Sequence, residues 1–268
     1  MFSMLNIIRR IIKGALSSNQ SKLDFLVGGV QKGGTTALDS YLRSHPEICL
    51  AETKEVHFFD NENMFCYPKI LREWWYKSFF STCRSNRVKG EVTPIYIWWH
   101  ESIRRIYEYN PDIKLVFIFR DPAMRAYSHW NMETKKGNET CSFGECVRMY
   151  SDKRTTSQSQ NRVFSYVERG FYSKQMENVY SFFRSEQVLC MKQEDLLQDP
   201  KTTLDKIAQH LGVSSFGEVD SKRVHALDYD SGIAPDDVKY LEEIYCVDID
   251  KFERITGLDA SQWKRHAV

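Results

Sequence analysis

The stretch DFLVGGVQKGGTTALDSYL, residues 24–42, constrains the fold of this chain more than any other segment. An apolar run ends in two glycines, a lysine and a second glycine pair follow, and two threonines open an amphipathic run. A buried strand that leads through a glycine-rich turn into a helix is typical of parallel α/β sheets that hold an anion at the turn. The segment therefore predicts an α/β fold with an anion site after its first strand.

Further apolar runs extend this prediction to a central parallel sheet flanked by helices. We expect strands in KLVFIF, RVKGEVTPIYI and QVLCMKQED, which are rich in apolar and β-branched residues. Amphipathic patterns predict helices over residues 35–44, 101–109, 122–136, 172–184 and 200–211. A length of 268 residues without internal repeats fits one α/β domain.

Three segments differ in their expected role. Residues 1–21 are predicted to form a leader helix and a linker, and residues 22–268 to form the domain. Within the domain, residues 133–162 are polar, charged and poor in large apolar side chains. This segment is either a lid or acceptor-side insertion, as loops over active sites often are, or a surface excursion without function.

The leader helix is amphipathic. Leu5, Ile8, Ile12 and Leu16 fall on one helical face, but the run is too short and too charged to span a bilayer. Association of residues 1–16 with a membrane surface is one interpretation. We favour the other, a docked or mobile helix.

Composition limits the classes of function. The formal net charge is +1, so no overall field recruits nucleic acid and any anion site is built locally. Seven cysteines without a Cys-x-x-Cys pair, and dispersed histidines, predict no metal site. We interpret the cysteines as free thiols of a reducing compartment, which, with no match to a secretion signal, predicts a cytoplasmic protein.

The glycine-rich turn supplies the donors that a phosphate-like group needs. The backbone N–H groups of Gly34, Thr35 and Thr36 are expected to point into the turn at a helix N-terminus, where the helix dipole favours an anion. Lys32 adds a positive charge, and Gly33 allows close approach of a ligand. Because the lysine precedes the second glycine pair, the turn does not match the G-x-x-x-x-G-K-[ST] loop of nucleotide triphosphatases.

Several motifs together carry a family resemblance. GVQKGGTTAL, SHPEICLAETKEVHFFD, GEVTPIY and KLVFIFRDPAMRAYSHW, in this order, resemble the PAPS-dependent sulfotransferases, in particular a small bacterial-type member near the heparan sulfate sulfotransferase branch. The likeness covers roughly residues 24–213. It implies transfer of a sulfuryl group from 3′-phosphoadenosine 5′-phosphosulfate (PAPS), release of 3′-phosphoadenosine 5′-phosphate (PAP), and a P-loop-like turn that binds the 5′-phosphosulfate.

A second phosphate site would distinguish PAPS from ATP. Arg120 ends a predicted strand and Ser128 lies two helical turns further, and the arginine fork suits a phosphate group. The resemblance assigns both residues to the 3′-phosphate, whereas the alternative is a surface pair of Arg120 with Asp121. Arg223 lies where family members close the nucleotide site with a basic loop, although a solvated charge cluster is the alternative.

The stretch TKEVHFFD contains the candidate acid–base residues. In-line sulfuryl transfer needs charge stabilisation on the leaving phosphate, for which Lys32 is the candidate, and a base for the acceptor proton. The resemblance makes Glu55 the candidate base. His57 is either the base, a group that orients the acceptor or a structural histidine, and Asp60 either orients a partner or ends the segment.

The acceptor is constrained only by a difference from the family pattern. Val92 stands where some carbohydrate-acting members carry a lysine, which disfavours an anionic polysaccharide and leaves Glu91 and Thr93 as polar contributors. We expect a small-molecule or carbohydrate acceptor, such as a natural product or a glycan-like compound, sulfated on a hydroxyl or an amine-type nitrogen. The alternatives are a P-loop kinase-like phosphotransferase and a catalytically silent nucleotide-binding module.

Overall fold

A computed structural model describes residues 4–17, 21–84, 87–149, 162–219 and 232–264, and the structural statements below refer to these ranges. One sheet of five parallel strands has the order β2-β3-β1-β4-β5. The strands are β1 (Phe25–Gly29), β2 (Ile48–Leu50), β3 (Val88–Val92), β4 (Lys114–Phe119) and β5 (Val188–Lys192). The predicted α/β fold with a central parallel sheet is confirmed.

Helices cover both faces of the sheet. In chain order they are α1 (Met4–Ala15), α2 (Thr35–Ser44), α3 (Glu62–Phe65), α4 (Lys69–Lys77), α5 (Ser102–Tyr109), α6 (Pro122–Lys135), α7 (Phe143–Arg148), α8 (Tyr172–Tyr180), α9 (Gln193–Gln198), α10 (Pro200–Leu211) and α11 (Pro235–Thr256). No helix among the described residues combines the length and the apolar character needed to cross a bilayer.

Two apolar cores lie on opposite faces of the sheet. Alternate side chains of β1 enter different cores: Phe25 and Val27 pack with α2 and α10, whereas Leu26 packs with residues from α4, α5 and α11. Both faces of β1 and β4 are therefore buried, which is why these strands are continuous apolar runs in the sequence.

The sheet topology determines where a ligand binds. Strands β3 and β4 follow one another in the chain but lie on opposite sides of β1. In open α/β sheets, ligands bind outside the carboxyl ends of the strands at such a switch point. The glycine-rich turn after β1 and Arg120 after β4 both lie at this edge.

Strand β2 and helices α3, α4, α9 and α11 are absent from the predicted elements, and α9 begins within QVLCMKQED, the segment predicted as a strand. The 22-residue α11 begins with Pro235 and ends at Thr256, and the next residue, Gly257, has a φ of 70°, which is typical of a helix C-cap. Its side chains Tyr245 and Phe252 are fully buried against the rest of the domain. The signals at both ends of α11 were available in the sequence, whereas the three-residue β2 is too short to show a pattern.

A disulfide corrects the prediction that all cysteines are free thiols. Cys49 of β2 is bonded to Cys83, and their Cα atoms lie 5.8 Å apart. A separation of 34 residues carries no pairing signal, so only the packing of β2 beside the segment after α4 brings the two together. The other five cysteines are free.

The segment predicted to be a lid or a surface excursion is described up to residue 149, and residues 150–161 lie outside the described ranges. Its first residues continue α6, and α7 packs inward. Val147 is fully buried, and the ring of Phe143 lies 5.1 Å from that of Tyr127. The segment therefore contributes to the core as well as to the surface, and its action as a lid stays a prediction.

Candidate active site

The turn after β1 has the geometry of an anion site. Gly34 precedes α2 with a φ of 99°, in the left-handed region that favours glycine. A Cβ atom on Gly33 would lie 2.3 Å from the carbonyl oxygen of Ile118, so the turn passes too close to β4 for a side chain. Among the described residues, the backbone N–H groups of Thr35 and Thr36 have no hydrogen-bond partner. They are free donors at the positive end of α2.

Lys32 lies in the same turn with a φ of 71°, which is uncommon for a residue other than glycine. Burial lowers the pKa of Lys32, the positive charges of Arg120 and Lys136 lower it further, and Glu55 opposes them. These electrostatic contacts show that the structure brings Lys32, Arg120 and Glu55 into one neighbourhood. The predicted loop lysine, strand-end arginine and candidate base therefore converge at the carboxyl edge of the sheet.

Arg120 has no side-chain hydrogen bond or ion pair among the described residues. Its neighbour Asp121 is 4% exposed and caps α6 instead. The Asp121 carboxylate accepts the backbone N–H groups of Ala123 at 2.9 Å and Met124 at 3.2 Å. The alternative of a surface pair between Arg120 and Asp121 is therefore wrong, and the guanidinium fork of Arg120 is available to a ligand.

Ser128 and Tyr172 are buried, and Tyr172 contacts the backbone of Arg120. Ser128 is 1% exposed on α6, and Tyr172 is a core residue whose ring lies 5.0 Å from that of Phe119. The Tyr172 hydroxyl donates to the carbonyl oxygen of Arg120 at 2.8 Å, which holds the backbone at the end of β4. Arg223 lies outside the described residues.

Glu55, His57 and Asp60 form a hydrogen-bonded series in the loop after β2. The Glu55 backbone N–H donates to the carbonyl oxygen of Val92 at 3.0 Å, which anchors the loop at the carboxyl end of β3. His57 Nε2 lies 3.5 Å from Glu55 Oε2, and Nδ1 lies 2.9 Å from Asp60 Oδ2. Glu55 and His57 have positive φ values of 59° and 54°, and such backbone strain clusters at functional sites.

The two carboxylates and Lys54 set the charge state of this series. Burial alone would raise the pKa of Glu55, but the hydrogen bond with His57 and the charge of Lys54 outweigh it and hold that pKa at about 2. Burial would lower the pKa of His57, but the hydrogen bonds with Asp60 and Glu55 raise it to about 9. At neutral pH, Glu55 is a carboxylate and His57 is an imidazolium.

Arg162 completes the series and was not among the predicted site residues. Its Nη1 donates to Asp60 Oδ2 at 2.7 Å, and its Nη2 donates to the Asp60 carbonyl oxygen at 2.6 Å. The guanidinium also lies 4.2 Å from the centre of the Trp99 ring. The Asp60 side chain is fully buried, so Arg162 supplies the charge that such a carboxylate requires. No local signal marks Arg162 within its polar segment.

A second arginine connects this series to the glycine-rich turn after β1. Arg169, which is 3% exposed, donates to the carbonyl oxygen of Arg162 at 3.0 Å. Its other terminal nitrogen donates to the side-chain oxygen of Gln31, directly before Lys32. One set of contacts therefore joins the turn after β1 to the loop that carries His57.

Glu91 and Thr93, predicted as polar contributors to acceptor binding, are instead buried structural residues. Glu91 is fully buried and accepts hydrogen bonds from Thr93, Tyr76 and Tyr96, the last at 2.7 Å. Tyr96 also accepts the backbone N–H of Phe58 at 3.0 Å. This network supports the loop of Glu55 and His57 through the hydrogen bond between Tyr96 and Phe58. Glu91 and Thr93 are fully buried and are not accessible to an acceptor.

Comparison with known proteins decides the family. The model of the sulfotransferase domain family matches residues 22–266. This chain belongs to the sulfotransferase family. The family identified from the sequence motifs is therefore confirmed.

Several sulfotransferases are similar to this chain over most of its length. It is 31% identical over 188 residues to human heparan sulfate glucosamine 3-O-sulfotransferase 3B1, covering 70% of this chain and 45% of that one. With human heparan sulfate glucosamine 3-O-sulfotransferase 5, the identity is 29% over 210 residues, covering 75% and 59%. The chain thus spans about half the length of these relatives.

A solved structure agrees with the fold. The crystal structure of a sulfotransferase from Alicyclobacillus acidocaldarius superposes with a TM-score of 0.79 at 25% sequence identity. The match covers 91% of this chain and all of the other. Among the described residues, no group of three or more His, Cys, Asp or Glu side chains is placed to hold a metal ion.

Proposed function

We propose that this sulfotransferase moves the sulfuryl group of PAPS to a hydroxyl group of a glycan-like acceptor. The observation that carries the proposal is the pair of anion sites at the ends of β1 and β4. The first offers Lys32 and the backbone N–H groups of Thr35 and Thr36, and the second offers the guanidinium fork of Arg120; within the described ranges none of these N–H groups has a hydrogen-bond partner. PAPS has a 5′-phosphosulfate and a separate 3′-phosphate, whereas ATP has no group for the second site.

The same residues suggest how the transfer proceeds. Thr35, Thr36 and Lys32 hold the 5′-phosphosulfate, and Gly33 and Gly34 let it approach the backbone. The acceptor oxygen attacks sulfur while the bond from sulfur to the bridging phosphate oxygen breaks. Lys32 stabilises the negative charge that develops on that oxygen, and PAP leaves. Arg120 and Ser128 bind the 3′-phosphate, and we keep Arg223 as a candidate nucleotide contact.

Glu55 is the proposed base for the acceptor proton. It is ionised at neutral pH, whereas the imidazolium of His57 has no lone pair with which to accept a proton. His57 is then a positioning residue, because it is held by Asp60 and hydrogen-bonds to the Glu55 carboxylate. The proton therefore moves from the acceptor hydroxyl to Glu55.

Two lysines indicate what kind of acceptor the site receives. Lys54 Nζ lies 2.6 Å from Glu55 Oε1, and Lys136 is close enough to Lys32 to lower its pKa. Each lysine thus has an acidic partner, since Glu133 lies 3.0 Å from Lys136. The rim of the site is therefore close to neutral and favours an acceptor without several negative charges.

Transfer to an amine-type nitrogen and a natural-product acceptor remain predictions. So does a cytoplasmic location, which loses the support of free cysteines because Cys49 and Cys83 form a disulfide.

The first test is calorimetric titration with PAP, 5′-AMP and ATP on the wild type and on Arg120→Ala. We expect PAP to bind far more tightly than 5′-AMP, and Arg120→Ala to weaken PAP binding about 10- to 150-fold through the loss of a charged hydrogen bond. The matched control is Arg184→Ala, an arginine that is 71% exposed and precedes β5 at the opposite edge of the sheet. This variant should bind PAP like the wild type.

This titration, together with an assay of sulfuryl transfer, separates the two alternatives. Tighter binding of magnesium–ATP than of PAP would overturn the proposal in favour of a kinase-like phosphotransferase. A catalytically silent nucleotide-binding module would bind PAP tightly but transfer no sulfuryl group from PAPS to any of a panel of neutral and anionic saccharides. In that case Glu55→Gln would be indistinguishable from the wild type in both assays.

A further inference from the structure

Helix α1 presents an apolar stripe to solvent. Five large apolar side chains on or directly after this helix are at least half exposed: Met4 (76%), Leu5 (65%), Ile8 (50%), Ile12 (53%) and Leu16 (81%). The rest of the described chain exposes such side chains singly, as at Val247 on α11. A contiguous stripe of this kind marks an interaction surface.

The stripe faces outward because another face of α1 is already packed. Ile7 and Ile11 pack against the main core, and the Arg10 guanidinium lies 3.7 Å from the centre of the Phe79 ring. At Gly14, a Cβ atom would lie 1.7 Å from the carbonyl oxygen of Trp74, so the two helix backbones touch. The helix therefore cannot turn its stripe inward without losing these contacts.

Positive charge accompanies the stripe. The helix contains three basic residues and no acidic one. Arg9 is exposed and has no partner among the described residues, and Lys13 is 44% exposed and pairs with Glu52. Arg9 and Lys13 follow Ile8 and Ile12 by one position each, so they flank the stripe on the helical surface.

We propose that α1 docks the protein, with the helix lying flat, on an anionic lipid surface. An exposed apolar stripe flanked by arginine and lysine is the pattern of helices that lie in the plane of a membrane interface. The charge of α1 favours a lipid surface over a second copy of the chain. Self-association through this face would bring the basic residues of two copies together, and α1 contains no acidic residue to balance them. The inference does not depend on the proposed sulfuryl transfer.

The docking has a simple test with the full chain. Co-sedimentation is measured with vesicles of phosphatidylcholine alone and with vesicles that also contain phosphatidylglycerol. We expect binding to the second kind, weakening as salt is raised. Ile8→Asn with Ile12→Asn should weaken binding at least about tenfold, because the variant loses the burial of two half-exposed side chains. Arg9→Gln should weaken it about fivefold.

Val247→Asn is the matched control, since it replaces an exposed apolar residue on α11 and should bind vesicles like the wild type. All variants should keep the thermal midpoint and the PAP affinity of the wild type, which separates this test from that of the nucleotide site. Equal binding to both kinds of vesicle, or none to either, would overturn the proposal. So would dimerisation without lipid that is abolished by the Ile8 and Ile12 substitutions.

Discussion

The charge state of His57 is the residue-scale property with the clearest kinetic consequence. Its pKa is raised to about 9, so it is protonated below that pH and loses its proton above it. Glu55, with a pKa of about 2, stays ionised throughout the neutral range. If the imidazolium positions Glu55, kcat/KM should be constant around neutral pH and fall as the pH rises through about 9.

The opposite result would identify His57 as the base, because the rate would then rise with pH through the same range. The measurement is kcat/KM for the acceptor as a function of pH. His100→Gln is the control, since His100 is 75% exposed and lies outside the series. That variant should keep the wild-type profile, and His57→Gln should remove the alkaline limb.

Arg162 is expected to act through Asp60 and not on the nucleotide. Arg162→Gln removes the charge that balances the buried Asp60 carboxylate and loosens the positioning of His57. We expect kcat to fall about tenfold, as for the loss of one charge-assisted hydrogen bond, with PAP affinity by calorimetry unchanged. Arg162→Lys should recover part of the loss. The thermal midpoint should fall in either case, because Asp60 is buried without its partner; a parallel fall in PAP affinity would instead mean a merely structural role.

At the scale of elements, the disulfide closes a loop that contains the candidate base. The bond joins β2 to the segment after α4, with Glu55 and His57 between its ends. A disulfide that closes a loop of this length lowers the conformational entropy of the unfolded chain, which stabilises the folded state by about 3–4 kcal/mol. We therefore expect Cys49→Ser with Cys83→Ser to lower the free energy of unfolding by about that amount in urea titrations.

The control for the disulfide is Cys66→Ser, because Cys66 is a free and exposed cysteine. It should leave the free energy of unfolding unchanged. If a reducing agent leaves the wild type as stable as before, Cys49 and Cys83 are not bonded in solution.

At the scale of the whole molecule, the proposed nucleotide site lies between the two halves of the sheet. The anion sites follow β1 and β4, whose surroundings include both apolar cores. A ligand at about one hundred times its Kd stabilises the folded state by about 2.7 kcal/mol. For a domain of this size, PAP should then raise the thermal midpoint by about 5–10 °C.

Scanning calorimetry with PAP and 5′-AMP at the same concentration tests this expectation. The smaller shift should belong to 5′-AMP, which lacks the group for Arg120, and Arg120→Ala should bring the two shifts together. Equal shifts in the wild type would show that the 3′-phosphate contributes nothing to binding.

Much of the fold could be predicted because its signals are local. The apolar runs of β1 and β4, the glycines of the turn and the proline at the start of α6 each specify a conformation within a few residues. The order of these segments along the chain then places Lys32 and Arg120 at one edge of a parallel sheet. The candidate anion sites follow from this without further information.

The remaining features depend on residues that are far apart in the chain. Asp60 and Arg162 are separated by 102 positions, and Cys49 and Cys83 by 34. The local sequence around Glu91 is the same whether its carboxylate contacts an acceptor or three buried hydroxyl groups, so it does not distinguish the two roles. The packing of helices and loops over the sheet determines which of these residues meet, and the periodicity of the sequence does not predict it.

The sequence by itself therefore determined the parallel α/β architecture, the family and the glycine-rich turn after β1, because contiguous residues encode them. Only the tertiary structure decided that His57 is held as an imidazolium between two carboxylates and that Arg162 supports it. It also decided that α1 turns an apolar stripe to solvent. These properties arise from burial and from charges brought together by packing, and both depend on the folded chain as a whole.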